Sequence, residues 1–427
     1  MVKRGVVVFF VIAMLGAGTV YYFWAVEIPA LQARIPIAQK AVGNWSDLYP
    51  RWLGLRELLL RGRDPYSPDV TVDIQRGFYG RALSPDNPDD PTDRQGFAYP
   101  LPNLLVFAPF ALLPFQAVQL VYLLLTPVLV IATVVLWTKT MRLDIGRLTL
   151  ALVSLVALCS LPVLENIHLG QLSVLVAFLL ALNVALAMTG RLVAGGAVLA
   201  LACMKPQMCW PVVIWWTLWT LQDWKTRQRL IYAFGGSMVV LYAAAELLLP
   251  GWLPKWWDAI ANYAEYTPPS MISRFLGQTT DLVVVVAAIV ILLGLNWRLL
   301  RHPIGSAGFN NGFVLGLVLA VLLMPFRHLH NHILLLPAGL ALWTARKDLR
   351  RPVAILFYRI AGIWFLAEAI SAFLISLSST VRPVGLQQVY LPFNLELFFP
   401  LAVFAAVLAA CVTALLQGVP STSPSRV

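Results

Sequence analysis

Apolar runs recur from one end of this chain to the other, at 6–26, 115–137, 148–164, 172–189, 192–204, 208–221, 230–249, 281–296, 312–325, 331–344, 354–375 and 397–417. Such runs cross a ~30 Å hydrocarbon core as helices, whose backbone groups pair internally. The pattern predicts an all-α polytopic membrane protein of about 12 transmembrane helices. Charge agrees with this. Only 12% of the 427 residues are charged, against roughly a quarter in soluble domains. Run 6–26 follows Lys3 and Arg4 and has no small-residue cleavage site, so it reads as a retained helix rather than a signal peptide.

The loops are unequal. Segments 138–147, 222–229, 297–303 and 345–352, with Arg191 and the two ends, hold 16 of the 31 Lys and Arg. The acids there are Asp144, Asp223 and Asp348. The remaining 15 basic and 17 acidic residues nearly cancel. The net charge of +11 is therefore the signature of one cytoplasmic membrane face, not of a nucleic-acid surface. Both termini fall on that face, including a short tail at 418–427. Cys159, Cys203, Cys209 and Cys411 all lie in apolar runs without metal-ligand spacing, so they read as small buried hydrophobes.

The other face receives the polar segments 27–100, 250–280 and 376–396. Within the first, residues 48–60 are amphipathic, with Leu48, Trp52, Leu55 and Leu59 on one side and Arg51 and Arg56 elsewhere. That pattern predicts a helix lying in the interface. "GRDPYSP" at 62–68 reads as a turn, and 84–93 as an acidic, Pro-rich loop with little to bury and a poor cage for Mg²⁺. Residues 97–114 return to the membrane as a Pro-punctuated apolar segment. Runs 192–204 and 208–221 are short enough to form a hairpin whose apex, Lys205-Pro206-Gln207, sits below the membrane surface. No internal repeat or separate soluble domain is visible, so residues 1–427 read as one domain.

Unusual polar groups gather at the extracytoplasmic helix ends: Asp47, Tyr99, Glu165, His168, Gln171, Lys205, and the cluster Arg327, His328, His330 and His332. Ionisable groups at the membrane edge are functional candidates, because holding them there is costly unless something pairs with them. The chain has no G-x-x-x-x-G-K-[ST] and no dinucleotide fingerprint. A site on that face also has no access to cytoplasmic nucleotides, so a group-transfer substrate must arrive attached to a lipid. Each residue also has a plainer use. Asp47 is well placed to cap the 48–60 helix, Lys205 to snorkel, Tyr99 to anchor in the aromatic belt, and the histidines to be helix-end hydrogen-bonding groups.

The order and spacing of several stretches resemble those of the integral-membrane glycosyltransferases typified by polyprenyl-phosphate-mannose-dependent α-1,2-mannosyltransferases, which have the C-type glycosyltransferase fold. These are Asp47 in the first outer loop, "GRDPY" at 62–66, "FAYPLPNLLVFAP" at 97–109, "NIHLGQLSVLV" at 166–176, "GRLVAGGAVLALACMKPQ" at 190–207 and "MPFRHLHNHILLLP" at 324–337. The resemblance spans roughly residues 40–345. It implies that Asp47 is the general base and that Lys205 and the region of His330, with Arg327 and His332, hold the donor phosphate. Tyr99, His168, Gln171, Asp64 and Tyr66 are candidate sugar or acceptor contacts. The chain departs from the family pattern where Met324 precedes Pro325 and where Asn331 separates His330 from His332.

The expected function is an inverting hexosyl transfer, of mannose by the resemblance, from a polyprenyl-phosphate donor to a hydroxyl of a lipid-linked or envelope glycan. The expected setting is the outer face of a bacterial cytoplasmic membrane, with membrane lipids as the other partner. Chemically this needs one base for the acceptor hydroxyl and cations to receive the phosphate charge. No cofactor is expected, and the sequence does not require a divalent metal. Two alternatives are a flippase or transporter of a lipid-linked sugar, and an O-antigen-type polymerase or ligase.

Overall fold

The computed structural model describes residues 2–32, 46–84, 86–87, 90–91, 93–266, 283–284, 286–287, 290, 294, 297–324, 328–346, 349, 351–379 and 393–417. No strand occurs among them. Among the described residues five helices are long and apolar enough to cross a membrane: Val7–Ala30, Phe115–Thr140, Trp224–Leu248, Pro352–Ser379 and Phe399–Leu416. A bent pair, Arg147–Leu158 with Leu161–Leu169, makes a sixth if counted as one span.

Several of the 12 expected passes are short or broken for local reasons. The first crossing is α1 (Val2–Tyr21), a π-helical turn at Tyr22–Glu27, and α2 (Ile28–Gln32). Run 115–137 is α6 (Phe115–Thr140). Run 148–164 breaks into α7 (Arg147–Leu158) and α8 (Leu161–Leu169), bent by 54°. Pro162 sits just inside the start of α8, where its missing N–H costs nothing but where it would interrupt a continuous helix. The next helices, α9 (Ser173–Met188) and α10 (Leu192–Ala202), are short. Eleven residues rise only about 16 Å, so α10 stops inside the bilayer thickness. α11 (Pro206–Gln222) returns, with Lys205 at its N-cap and Pro206 at its first position. α12 (Trp224–Leu248) and α13 (Trp252–Tyr266) follow. Run 281–296 lies mostly outside the described residues.

Beyond it come α14 (Ala307–Leu322), a 3-10 turn at Leu329–Leu335, α15 (Leu336–Ala345), α16 (Pro352–Ser379) and α17 (Phe393–Gln417). α14 is buried along nearly its whole length and forms the centre against which α11, α15 and α17 pack. By contrast, α12 turns Val239, Val240 and Leu247 outward, as a lipid-facing helix does. Close packing of α10 on α12 depends on Gly196, where a Cβ would collide with the Leu230 carbonyl oxygen. Buried Asn183 ties three helices together: it donates to Gly195 O at 2.9 Å and accepts from Trp216 Nε1 at 2.6 Å. Such polar pins hold helices together where surrounding lipid supplies no hydrophobic drive.

Before α6, the polar segment folds over the bundle. It contains α3 (Leu48–Arg61), α4 (Pro68–Tyr79) and α5 (Leu101–Leu104), then a 3-10 stretch at Leu105–Leu112. α3 ends at Gly62, left-handed with φ 64°, whose N–H reaches the Glu57 and Leu58 carbonyls. The "GRDPYSP" turn leads into α4, where the Ser67 hydroxyl accepts from Val70 N at 3.3 Å. Much of α3 is buried against the rest of the chain, with Arg51 only 6% exposed. Among the described residues after α4, Arg81 pairs with the Asp90 carboxylate, which also accepts from Ser84 N and Asn87 Nδ2.

Candidate active site

The first residue of interest sits just ahead of α3. Asp47 occupies the N-cap position, yet its side chain makes no capping bond. The cap work falls to its neighbour, since Ser46 Oγ accepts from Leu48 N at 3.3 Å and donates to Leu169 O at 3.2 Å. Asp47 is thus released from the plain role the sequence offered it. Its carboxylate accepts instead from the Gln171 side-chain amide.

Gln171 lies just after α8, where the chain reverses through Gly170 at φ 63°. A Cβ at Gly170 would stand 2.5 Å from Ser46 Oγ and 2.8 Å from Leu48 Cβ. Only glycine lets the α8–α9 turn press against the start of α3 this closely. That contact brings Asp47 and Gln171 together across the sequence.

Gln171 Oε1 accepts from Arg51 Nη2 at 2.9 Å and from Lys205 Nζ at 3.1 Å. Arg51 also donates to Gly170 O at 3.1 Å and lies over the Tyr99 ring at 4.3 Å. Lys205, 8% exposed at the α10–α11 apex, donates further to Ser173 Oγ at 2.7 Å and Asn331 Oδ1 at 3.2 Å. Ser173 donates to the same Asn331 oxygen at 2.8 Å. Asn166 joins α8 to the 3-10 turn by donating to His330 O at 2.8 Å. One carboxylate and two cations therefore share a single amide.

Electrostatics follow from this enclosure. Burial pushes the Asp47 carboxyl above its ordinary range, while Arg51, the Gln171 hydrogen bond and Lys205 pull it back. Asp93 is raised to about 6, first by burial and then by the Asp47 charge. Its carboxylate accepts from Gln95 N at 3.2 Å and Gln95 Nε2 at 2.8 Å, and its carbonyl from the Tyr79 hydroxyl at 2.6 Å. Burial also holds the Tyr99 phenol well above its usual value.

Of the other sequence candidates, His330 is 1% exposed, stacks on His328 with ring centroids 5.0 Å apart, and places Nδ1 3.4 Å from Glu165 Oε2. His332 is buried on the same turn. His168 points its ring edge-on to Phe23 and Trp24 of the π-helical turn. Asp64 pairs with Lys255 at 2.8 Å and accepts from Tyr66 N at 2.9 Å, while Tyr66 donates its hydroxyl to Tyr99 O at 2.6 Å. These two brace the wall rather than join the Gln171 hub. Arg327 lies outside the described residues. Among those described, no group of three or more His, Cys, Asp or Glu is placed to hold a metal.

Four participants escaped the sequence reading: Arg51, Ser173, Asn331 and Asp93. Arg51 was findable. It follows Asp47 by one helical turn, the spacing that puts two side chains on one face. In the sequence Asn331 shows only as a break in the histidine pattern. Beside the hub lies a small apolar cleft, bounded by Leu48, Arg51, Trp52, Leu104, Phe107 and Leu172 among others.

A family model, that of glycosyltransferase family 87, matches residues 97–325. The match is narrower than the 40–345 of the sequence resemblance, leaving Asp47 before it and His330 after it. Neither the curated proteins nor the solved structures contain a match to this chain.

Proposed function

The chain belongs to glycosyltransferase family 87, and on that premise we propose that it moves a hexose, mannose by the family resemblance, from a polyprenyl-phosphate carrier to a hydroxyl of a lipid-linked or envelope glycan. The setting we propose is the outer face of a bacterial cytoplasmic membrane. The observation carrying this reading is Gln171, whose amide joins the Asp47 carboxylate to the Arg51 and Lys205 cations.

In this mechanism Asp47 removes the proton from the acceptor hydroxyl. That oxygen attacks the anomeric carbon from the side opposite the phosphate, the C–O bond to phosphate breaks, and the configuration inverts. Gln171 fixes the carboxylate so that its free lone pairs face the acceptor. The positive charge of Arg51 and Lys205 lowers the energy of the phosphate as it gains charge. His330 and His332 complete the phosphate side, and Tyr99 walls the sugar. The apolar cleft beside Arg51 suits a lipid chain. Donor charge is met here by protein cations, so the reading calls for no divalent metal.

The test uses purified protein and a labelled polyprenyl-phosphate sugar. Acceptor-dependent release of polyprenyl phosphate is expected, and Asp47→Asn is expected to stop it. Movement of intact donor across vesicles without bond cleavage would overturn the proposal in favour of a flippase.

A further inference from the structure

Lys205 is the obvious phosphate ligand, but its donors are spent. An ammonium has three N–H groups, and Lys205 meets three acceptors: Gln171 Oε1, Ser173 Oγ and Asn331 Oδ1. It supplies charge to the site, while its protons already hold α9, α10–α11 and the 3-10 turn together. A phosphate oxygen needs its proton donor elsewhere.

His330 and Glu165 stand in the opposite condition. The His330 ring is buried, and both Nδ1 and Nε2 lack a hydrogen-bond partner, as does Glu165 Oε2. Buried polar atoms in folded proteins are nearly always paired. Here Nδ1 and Oε2 are 3.4 Å apart, slightly beyond a good hydrogen bond, and the His330 backbone N–H also faces the Glu165 carboxylate. A small closing movement makes an Nδ1–H···Oε2 bond. That bond fixes the ring, supports its positive form and leaves Nε2–H as a free donor.

We propose that Glu165 and His330 form a carboxylate–imidazole pair that protonates the phosphate as it departs. The inference rests on the transferase reading above. As the C–O bond breaks, its electron pair stays on the phosphate oxygen, and the Nε2 proton of His330 moves to a phosphate oxygen. The product leaves as a monoanion rather than a dianion. Asp47 meanwhile gains the acceptor proton, so the two proton transfers balance, and both residues reset through solvent. Glu165 never touches substrate. It is a positioning residue acting through His330.

The groups around His330 set how this reads out with pH. α8 brings Glu165 and His168, α3 brings Arg51 and the hairpin apex brings Lys205, while His328 and His332 share its own turn. α9, α14 and α15 contain no ionisable residue, and α17 contributes Cys411 alone among its described side chains. Among the described carboxylates Glu165 alone stands within 4 Å of the His330 ring, against the cations Arg51 and Lys205, and the imidazolium depends on it.

Glycosyl transfer should be measured across pH for the wild-type protein, Glu165→Gln and Glu165→Asp, with polyprenyl-phosphate binding followed separately. For Glu165→Gln the expected result is a fall in kcat of about 10- to 100-fold, little change in donor KM, and loss of rate at lower pH than in wild type. Glu165→Asp keeps the charge and should restore the wild-type alkaline limb with part of the rate. If Glu165→Gln does not fold, Glu165→Asp decides alone: a wild-type rate, or a shifted limb, overturns the proposal. So does a slow Glu165→Gln with an unchanged pH profile, which is what a purely structural residue would produce. No turnover by wild type would instead overturn the transferase reading itself.

Discussion

The side-chain amide of Gln171 donates to the carboxylate of Asp47, although 124 positions separate the two residues. Asp47 stands at a helix start without capping it, and Gln171 stands in a turn that glycine alone permits. The Asp47 geometry does not serve capping, and the Gly170 turn that ends α8 also carries Gln171 to it. Together they hold one carboxylate against two cations, and this makes the pair the centre of the site.

Asp47→Asn preserves an acceptor for Gln171 and removes the base. Transfer is expected to fall by about 10²- to 10⁴-fold, with polyprenyl-phosphate binding retained. Single-turnover rates and a lipid-binding assay on the same preparation check both halves, and full turnover by the variant would end the base assignment.

Arg51→Lys keeps the charge but loses the fork that spans Gly170 O and Gln171 Oε1, together with stacking on Tyr99. Arg and Lys are not interchangeable at such a site. A loss of about tenfold in kcat/KM is expected in steady-state kinetics.

The acidic side of the pH profile carries its own prediction. Burial raises Asp47, so activity should climb with pH through a value above the usual carboxylate range. The Asp47 charge in turn helps to raise Asp93. Stability moves as well. The folded pKa of Asp93 is about 6 and its unfolded value roughly 3.9. Its contribution is therefore fully present below the unfolded value and is lost as pH rises through the folded one. Asp93→Asn should melt higher than wild type above pH 6, with the gap closing as pH falls.

Gly170→Ala tests the turn that joins the halves of the site. A left-handed residue with a Cβ costs about 1–2 kcal/mol from backbone alone, and contact with Ser46 and Leu48 adds to it. A lowered melting temperature is expected, with a disproportionate loss of transfer because Gln171 shifts relative to Asp47.

The sequence by itself determined a helical membrane protein, because apolar runs at bilayer length leave the backbone few other ways to satisfy its hydrogen bonds. It also isolated Asp47, Gln171, Lys205 and His330, since polar groups at membrane edges stand out against an apolar background. Tertiary structure alone decided what each one touches. Asp47 is a residue type suited to capping, and only the path of the α8–α9 turn brings its carboxylate to Gln171 instead. Arg51 looked like the wet side of a surface helix until α3 was seen packed under the chain that carries Phe97 and Tyr99. Where helices shorten or break was illegible for a related reason. Hydropathy records how much surface is apolar, while bends at Pro162 and turns at Lys205 are set by contacts between segments distant in the chain.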